Sequence, residues 1–206
     1  STVSDASGEF VMPPVASGSY YLVVEKAGFR RVRRIDVGAA VQAVPVGLTT
    51  LPALDDPESG DEVPGMTMVT AHFDEAEISL AQLGLSPKAL QTVPSEPLDD
   101  GPATLLRDSA RLGKARYLFL PSGNLTRQRI DDESVDLSGD AVVVDTVRRF
   151  VSEGGTLYVT DLHYDFVARA FPGFLRWRGQ SAVACSGCAC VECDRPSWVS
   201  AQIDDP

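Results

Sequence analysis

The chain has 206 residues, with 18 Lys and Arg against 29 Asp and Glu and a formal net charge of -11, so its average field repels phosphate backbones and anionic lipid headgroups. No run approaches the roughly 18 to 20 apolar residues of a membrane-spanning helix, which argues against direct membrane insertion as the charge argues against nucleic acid. Hydrophobic residues at 44% and charged residues at 23% are globular proportions, and the length exceeds the roughly 100 to 150 residues of one typical domain, which points to two.

The first fifty residues read as β throughout. Short segments rich in Val, Tyr and Phe are separated by turn signals at Ser7-Gly8, Pro13-Pro14 and Ser17-Gly18, and the run from Ser19 to Lys26 alternates long enough for a central strand. A further strand is expected over Val41 to Leu48. Phe10, Tyr20, Leu22 and Val24 are the expected core of this part. Arg30, Arg31, Arg33 and Arg34 make the only basic cluster and read as a solvated strand face and turn.

Three motifs here resemble the carboxypeptidase regulatory-like (transthyretin-like, prealbumin-like) β-sandwich. They are Asp5, Gly8 and Phe10; Pro13, Pro14, Gly18 and Tyr20; and Ala27, Gly28 and Phe29. The opening strand of that pattern is absent, as expected of a truncated module, and its loss would leave a sheet edge unpaired. The resemblance implies an accessory domain without an active site.

Residues 48 to 65, dense in Pro, Gly and acid, show neither helical nor strand period, so 51–65 is expected to link two domains. The acid cluster Asp55, Asp56, Glu58, Asp61 and Glu62 lacks the spacing of an EF-hand loop and reads as solvated linker.

From Met66 the pattern turns to alternating strands and helices. Met66 to Ala71 is a short apolar strand. Asp74 is placed to cap a helix whose Ala76, Leu80 and Leu83 share a face, with Gly84 as its stop. Leu105 to Leu112 predicts another short helix, then Ala115 to Leu120 a strand and a polar loop. Val143, Val147, Phe150 and Val151 fall at i, i+4, i+7 and i+8, one face of a helix ending at Gly154-Gly155. The strand Thr156 to Thr160 follows. This order predicts a flavodoxin-like parallel sheet covered by helices, spanning residues 66–206.

The strand at Thr156 to Thr160 runs through Asp161-Leu162-His163 into a predicted helix closing on Pro172-Gly173. Such turns at the carboxyl ends of parallel strands are where ligands bind, and a helix start there favours an anion. The segment resembles the elbow of class I glutamine amidotransferases, Gly-x-Cys-x-Gly followed by a helix. Asp161 then stands at the cysteine position, Thr160 and Leu162 beside it, His163 at the second glycine, and Phe166 to Ala170 form the helix body. Leu120-Pro121-Ser122-Gly123-Asn124 resembles the family's Leu-Pro-Gly-Gly turn, whose backbone amide helps hold an oxyanion. The step Arg149 to Gly155 also recurs in amidotransferase-like and ThuA-like domains.

The resemblance implies a ligand site at Ser122, Gly123, Asn124 and Asp161 but no glutamine hydrolysis. A carboxylate is a poor acyl-transfer nucleophile beside a thiolate, and the only histidines, His72 and His163, do not stand where the family's later His and Glu follow. Asp161, His163 and Asp165 could serve as metal ligands or general base only if the turn is irregular, because i and i+2 point to different helix faces. His72, beside Asp74 at the first strand's end, reads as a loop histidine that also belongs to this edge.

Cys185, Cys188, Cys190 and Cys193 are the only cysteines. Their spacing allows two disulfides in an oxidising compartment, four thiolates around one zinc ion in a cramped nine-residue loop, or free thiols. Asn124-Leu125-Thr126 is a glycosylation sequon, a frequent chance match. The abrupt start in strand-like sequence and the close on Asp204-Asp205-Pro206 are those expected of a segment of a larger protein.

The expectation is therefore a non-catalytic binding or scaffolding module, requiring no cofactor, of a bacterial surface, periplasmic or otherwise exported protein whose other domains are its partners. The alternatives are a hydrolase or metal-assisted enzyme working at Asp161, His163 and His72, and a metal-binding module at the cysteine cluster.

Overall fold

The computed structural model describes residues 1–70, 74–95, 100–122, 125, 128–130, 133–160 and 163–174, with 128–130 and 133–135 described by backbone alone. The chain divides into two compact units, Ser1–Pro64 with Leu83–Ala89, and Gly65–Gln82 with Leu90–Pro206. It is mixed α/β: the first unit holds a three-stranded antiparallel sheet and the second a four-stranded parallel one.

In the first unit β1 (Gly18–Lys26) and β2 (Phe29–Val37) form a hairpin of nine consecutive residue pairs. The two-residue connection has φ of 53° at Ala27 and 85° at Gly28. Both are positive, as the twist of a tight hairpin requires. Glycine accepts this freely, whereas alanine does so at a cost of roughly 1 to 2 kcal/mol.

The strand expected at Val41 to Leu48 does not form. A loop leads instead to a one-turn helix, α1 (Val46–Thr49), with Pro45 as its N-cap at φ -57° and ψ 137°. Proline has no N–H to give a strand ladder, and its fixed φ suits the start of a helix.

The acidic stretch read as linker also carries structure. Asp56 caps a 3₁₀ turn at Pro57–Ser59 by accepting the Ser59 amide, and β3 (Asp61–Glu62) then pairs antiparallel with β2, Arg30 opposite Glu62 and Arg31 opposite Asp61. The cause is charge: the arginines of β2 give this stretch a partner that no hydrophobic period announces. Arg30 bonds Glu62 at 2.8 Å, and Asp61 accepts from both Arg31 and Arg33. These three arginines are ion-paired rather than merely solvated.

Of the four residues expected in the core of this unit, only Leu22 is buried. Phe10 and Val24 are half-buried and Tyr20 is 37% exposed. A lone sheet buries little, and among the described residues the first unit holds no second sheet. The Asp5 turn does form, its carboxylate accepting the amides of Ser7 and Glu9 at 2.9 and 3.0 Å.

The second unit runs β4 (Met66–Val69), α2 (Ala76–Gln82), β5 (Leu90–Val93), α3 (Gly101–Arg107), α4 (Ser109–Leu112), β6 (Tyr117–Leu120), the hairpin β7 (Gln128–Ile130) and β8 (Glu133–Val135), α5 (Ala141–Ser152), β9 (Thr156–Val159) and α6 (Tyr164–Ala170). The parallel sheet has the order β5-β4-β6-β9. The helix expected over Leu105 to Leu112 is two, because the Asp108 carboxylate accepts the amides of Ala110 and Arg111 and starts a new turn there.

The core joins Val69, Val93, Leu118 and Leu120 from the strands to Leu105, Leu106, Val143, Val147, Phe150 and Phe166 from the helices. Each such buried side chain contributes about 1.5 to 3 kcal/mol. Asp140 caps α5 through the Val142 and Val143 amides, and the apolar stripe Val143, Val147 and Phe150 is buried as its spacing predicts. The helix stops at Gly154, φ 95°. A Cβ on Gly155 would overlap the Phe150 ring, so the chain can turn into β9 so closely only with glycine there. Among the described residues no helix is long and apolar enough to cross a membrane.

Candidate functional site

The carboxyl ends of β4, β6 and β9 lie side by side, as parallel pairing demands. Beyond them come Asp74, Ser122 and Thr160. The Asp74 carboxylate joins all three ends: its Oδ2 accepts the Ser122 amide at 3.0 Å and the Thr160 hydroxyl at 2.8 Å. These two bonds, the Ser122 amide foremost, hold the Asp74 carboxyl below the usual carboxylate range, because hydrogen bonds to the charged form favour it. Asp74 was expected to cap α2; this Oδ2 braces the sheet edge instead.

His163 begins α6 and is 1% exposed. Its backbone amide donates to Thr160 O at 3.1 Å, closing a tight turn after β9. Its Nδ1 lies 3.1 Å from Leu120 O, and the Leu125 amide approaches its Nε2 at 3.4 Å. A carbonyl only accepts and an amide only donates, so this geometry turns Nδ1 toward an acceptor and Nε2 toward a donor. The ring stands edge-on to Phe166, centroids 5.7 Å apart. His163 is thus a bolt between β6 and α6, with a backbone group facing each of its ring nitrogens.

Asp165 is also buried, 5% exposed, with Oδ1 lacking a hydrogen-bond partner. Burial pushes its carboxyl above the usual range; Arg169 opposes that and Asp136 adds to it. Arg169 is itself bonded to Asp136 at 3.2 Å. Of the expected group Asp161, His163 and Asp165, His163 engages backbone and Asp165 sits in the field of Arg169 and Asp136. Asp161, His72, Gly123, Asn124 and the cysteines 185, 188, 190 and 193 lie outside the described residues, leaving Ser122 and His163 as the described members of the expected site.

A separate groove of about 360 Å³ is lined by Arg107, Ser109, Asp145, Thr146 and Arg149 among others. Arg107 is held there by Asp140, through Nε at 2.8 Å and Nη2 at 2.7 Å.

Thr160 was read only as a neighbour of Asp161, and Asp74 only as a cap. One signal was available: each of these polar residues follows a strand of the parallel sheet within a few positions, where site residues concentrate. Among the described residues no three His, Cys, Asp or Glu side chains converge as a metal site would require. Comparisons with protein families, curated proteins and solved structures found no match to this chain.

Proposed function

We propose that the chain is a non-catalytic binding or scaffolding module of a larger exported protein, in which a carboxypeptidase regulatory-like unit accompanies a flavodoxin-like domain of the amidotransferase type. One observation carries this reading: the Ser122 amide, in the turn that resembles the family's oxyanion-holding loop, already donates to the chain's own Asp74 carboxylate. Acyl transfer needs such donors aimed at the charge that develops on the substrate. A fixed anion in that position takes the donor and repels a second negative charge. The bonding of His163 adds to the argument, since a ring with a backbone group facing each nitrogen is poorly placed to activate a nucleophile.

Turnover measurements with glutamine, activated esters and peptides test this on the purified chain. No activity above background is expected, and a turnover abolished by Asp161→Ala would overturn the reading. The four cysteines are proposed to form two disulfides, in keeping with export. Thiol titration is then expected to find four thiols only after reduction, whereas thiols released by a chelator alone would favour a metal site.

A further inference from the structure

Among the described residues, the nine residues of β1 are paired along one edge only. It is the end strand of its sheet, and among the described residues none of its backbone groups bonds to main chain outside the β1–β2 ladder. Sheets usually blunt such an edge with a proline, a bulge, an inward charge or a short strand. β1 has none of these protections. Its register with β2 is unbroken, it contains no proline, and its charges, Glu25 and Lys26, sit together at one end. The middle is Tyr20-Tyr21-Leu22-Val23-Val24, in which Tyr21 is 74% and Val23 45% exposed. A free row of alternating N–H and C=O groups is satisfied by an extended strand.

We propose that the occupant is β1 of a second copy of this chain, antiparallel and related by a two-fold axis through Leu22. That register lays the apolar run onto itself: Leu22 opposite Leu22, Val23 opposite Tyr21 and Val24 opposite Tyr20 of the other copy, pairs that stabilise sheets. Moving the axis by one residue sets Glu25 against Tyr21, or leaves Val24 against Gly18. The Leu22 register also matches charge. It brings Glu25 opposite Ser19 of the second copy, whose hydroxyl donates to Asp36 and accepts from Arg34 Nη2 at 3.2 Å. Glu25 therefore arrives beside Arg34, and by symmetry this happens twice. Within one copy Glu25 has no partner among the described residues, because Arg30, its cross-strand neighbour, is taken by Glu62. The product is a six-stranded sheet whose ends are the two copies of β3.

Sedimentation equilibrium on the whole chain, from low micromolar to submillimolar concentration, tests this, with non-reducing gels to exclude disulfide-linked species. A reversible dimer is expected. Glu25→Arg and Arg34→Glu, both at exposed positions, are each expected to weaken it by roughly tenfold, and the double exchange to restore it to within about threefold. A monomer at every concentration overturns the proposal, as does a dimer that neither exchange moves. Hydrogen exchange supplies a further outcome: a monomer whose β1 amides are all protected means that another segment covers the edge, and this too overturns it.

Discussion

Arg31 and Asp61 meet as a two-pronged ion pair, Nε to Oδ1 and Nη2 to Oδ2, both at 2.8 Å. Arg33 reaches the same Oδ2 at 2.7 Å, so one carboxylate serves two guanidiniums on the face of β2. Arg31 also donates to the carbonyls of Gly47 and Thr50, which ties α1 and β3 to the same residue. Removing the carboxylate in Asp61→Ala leaves two part-buried cations without their counter-ion. The expected loss is about 2 kcal/mol, below the value for a fully buried pair because the arginines keep some water. A lowered urea midpoint checks it; an unchanged midpoint refutes the bracing role.

The same pair sets an acid limit on stability. Hydrogen bonding to Arg31, with Arg33 adding to it, lowers the Asp61 carboxyl from 3.8 to about 2. A depressed folded-state value stabilises the fold above the unfolded value and ceases to do so as pH falls through the folded one. The stability difference between the wild type and Asp61→Asn is therefore expected to be complete above about pH 4 and to shrink toward pH 2. Urea titrations at several pH values across that window measure it, and a difference independent of pH counts against the assignment.

Asp165 has the opposite sign. Burial raises its carboxyl, so its neutral form suits the fold, and that contribution is lost as pH rises through the folded-state value. Asp165→Asn keeps the shape without the charge. Its stability relative to the wild type is expected to increase as pH rises above the ordinary carboxylate range. Thermal melts in matched buffers check this, and a flat difference would show that Arg169 fully compensates the ionised carboxylate.

Asp74→Ala frees the Ser122 amide and the Thr160 hydroxyl together. Two outcomes are expected: faster hydrogen exchange at Ser122, and a new response to inorganic sulfate in amide spectra that the wild type lacks. Both follow if the carboxylate occupies a place that an external anion would otherwise take. Exchange at Ser122 unchanged by the substitution would mean that another group holds that amide.

What could be read from the sequence was what local pattern controls. Val143, Val147 and Phe150 announced α5 because each sits in the same layer of one core, and Gly154-Gly155 announced its end. Tyr20 and Val24 were read as core from alternation, yet alternation says only that a strand has two faces, not that anything covers them. β5 was missed because Leu90-Gln91-Thr92-Val93 is short and half polar; its place in the sheet comes from pairing with β4. The roles of Asp61 and Asp74 were illegible for a related reason: both are set by groups far along the chain.

The tie made by Asp74 spans 48 residues to Ser122 and 86 to Thr160. The Ser122 bond needs only β6 laid beside β4, but the Thr160 bond cannot close until β9 has been laid beside β6, so the rim of this sheet is finished after its interior strands. Loop-closure entropy is lost before such contacts return anything. During synthesis, a nascent chain that has emerged only through β6 holds Asp74 with one of its two partners, and the edge acquires its final shape only when the last strand arrives.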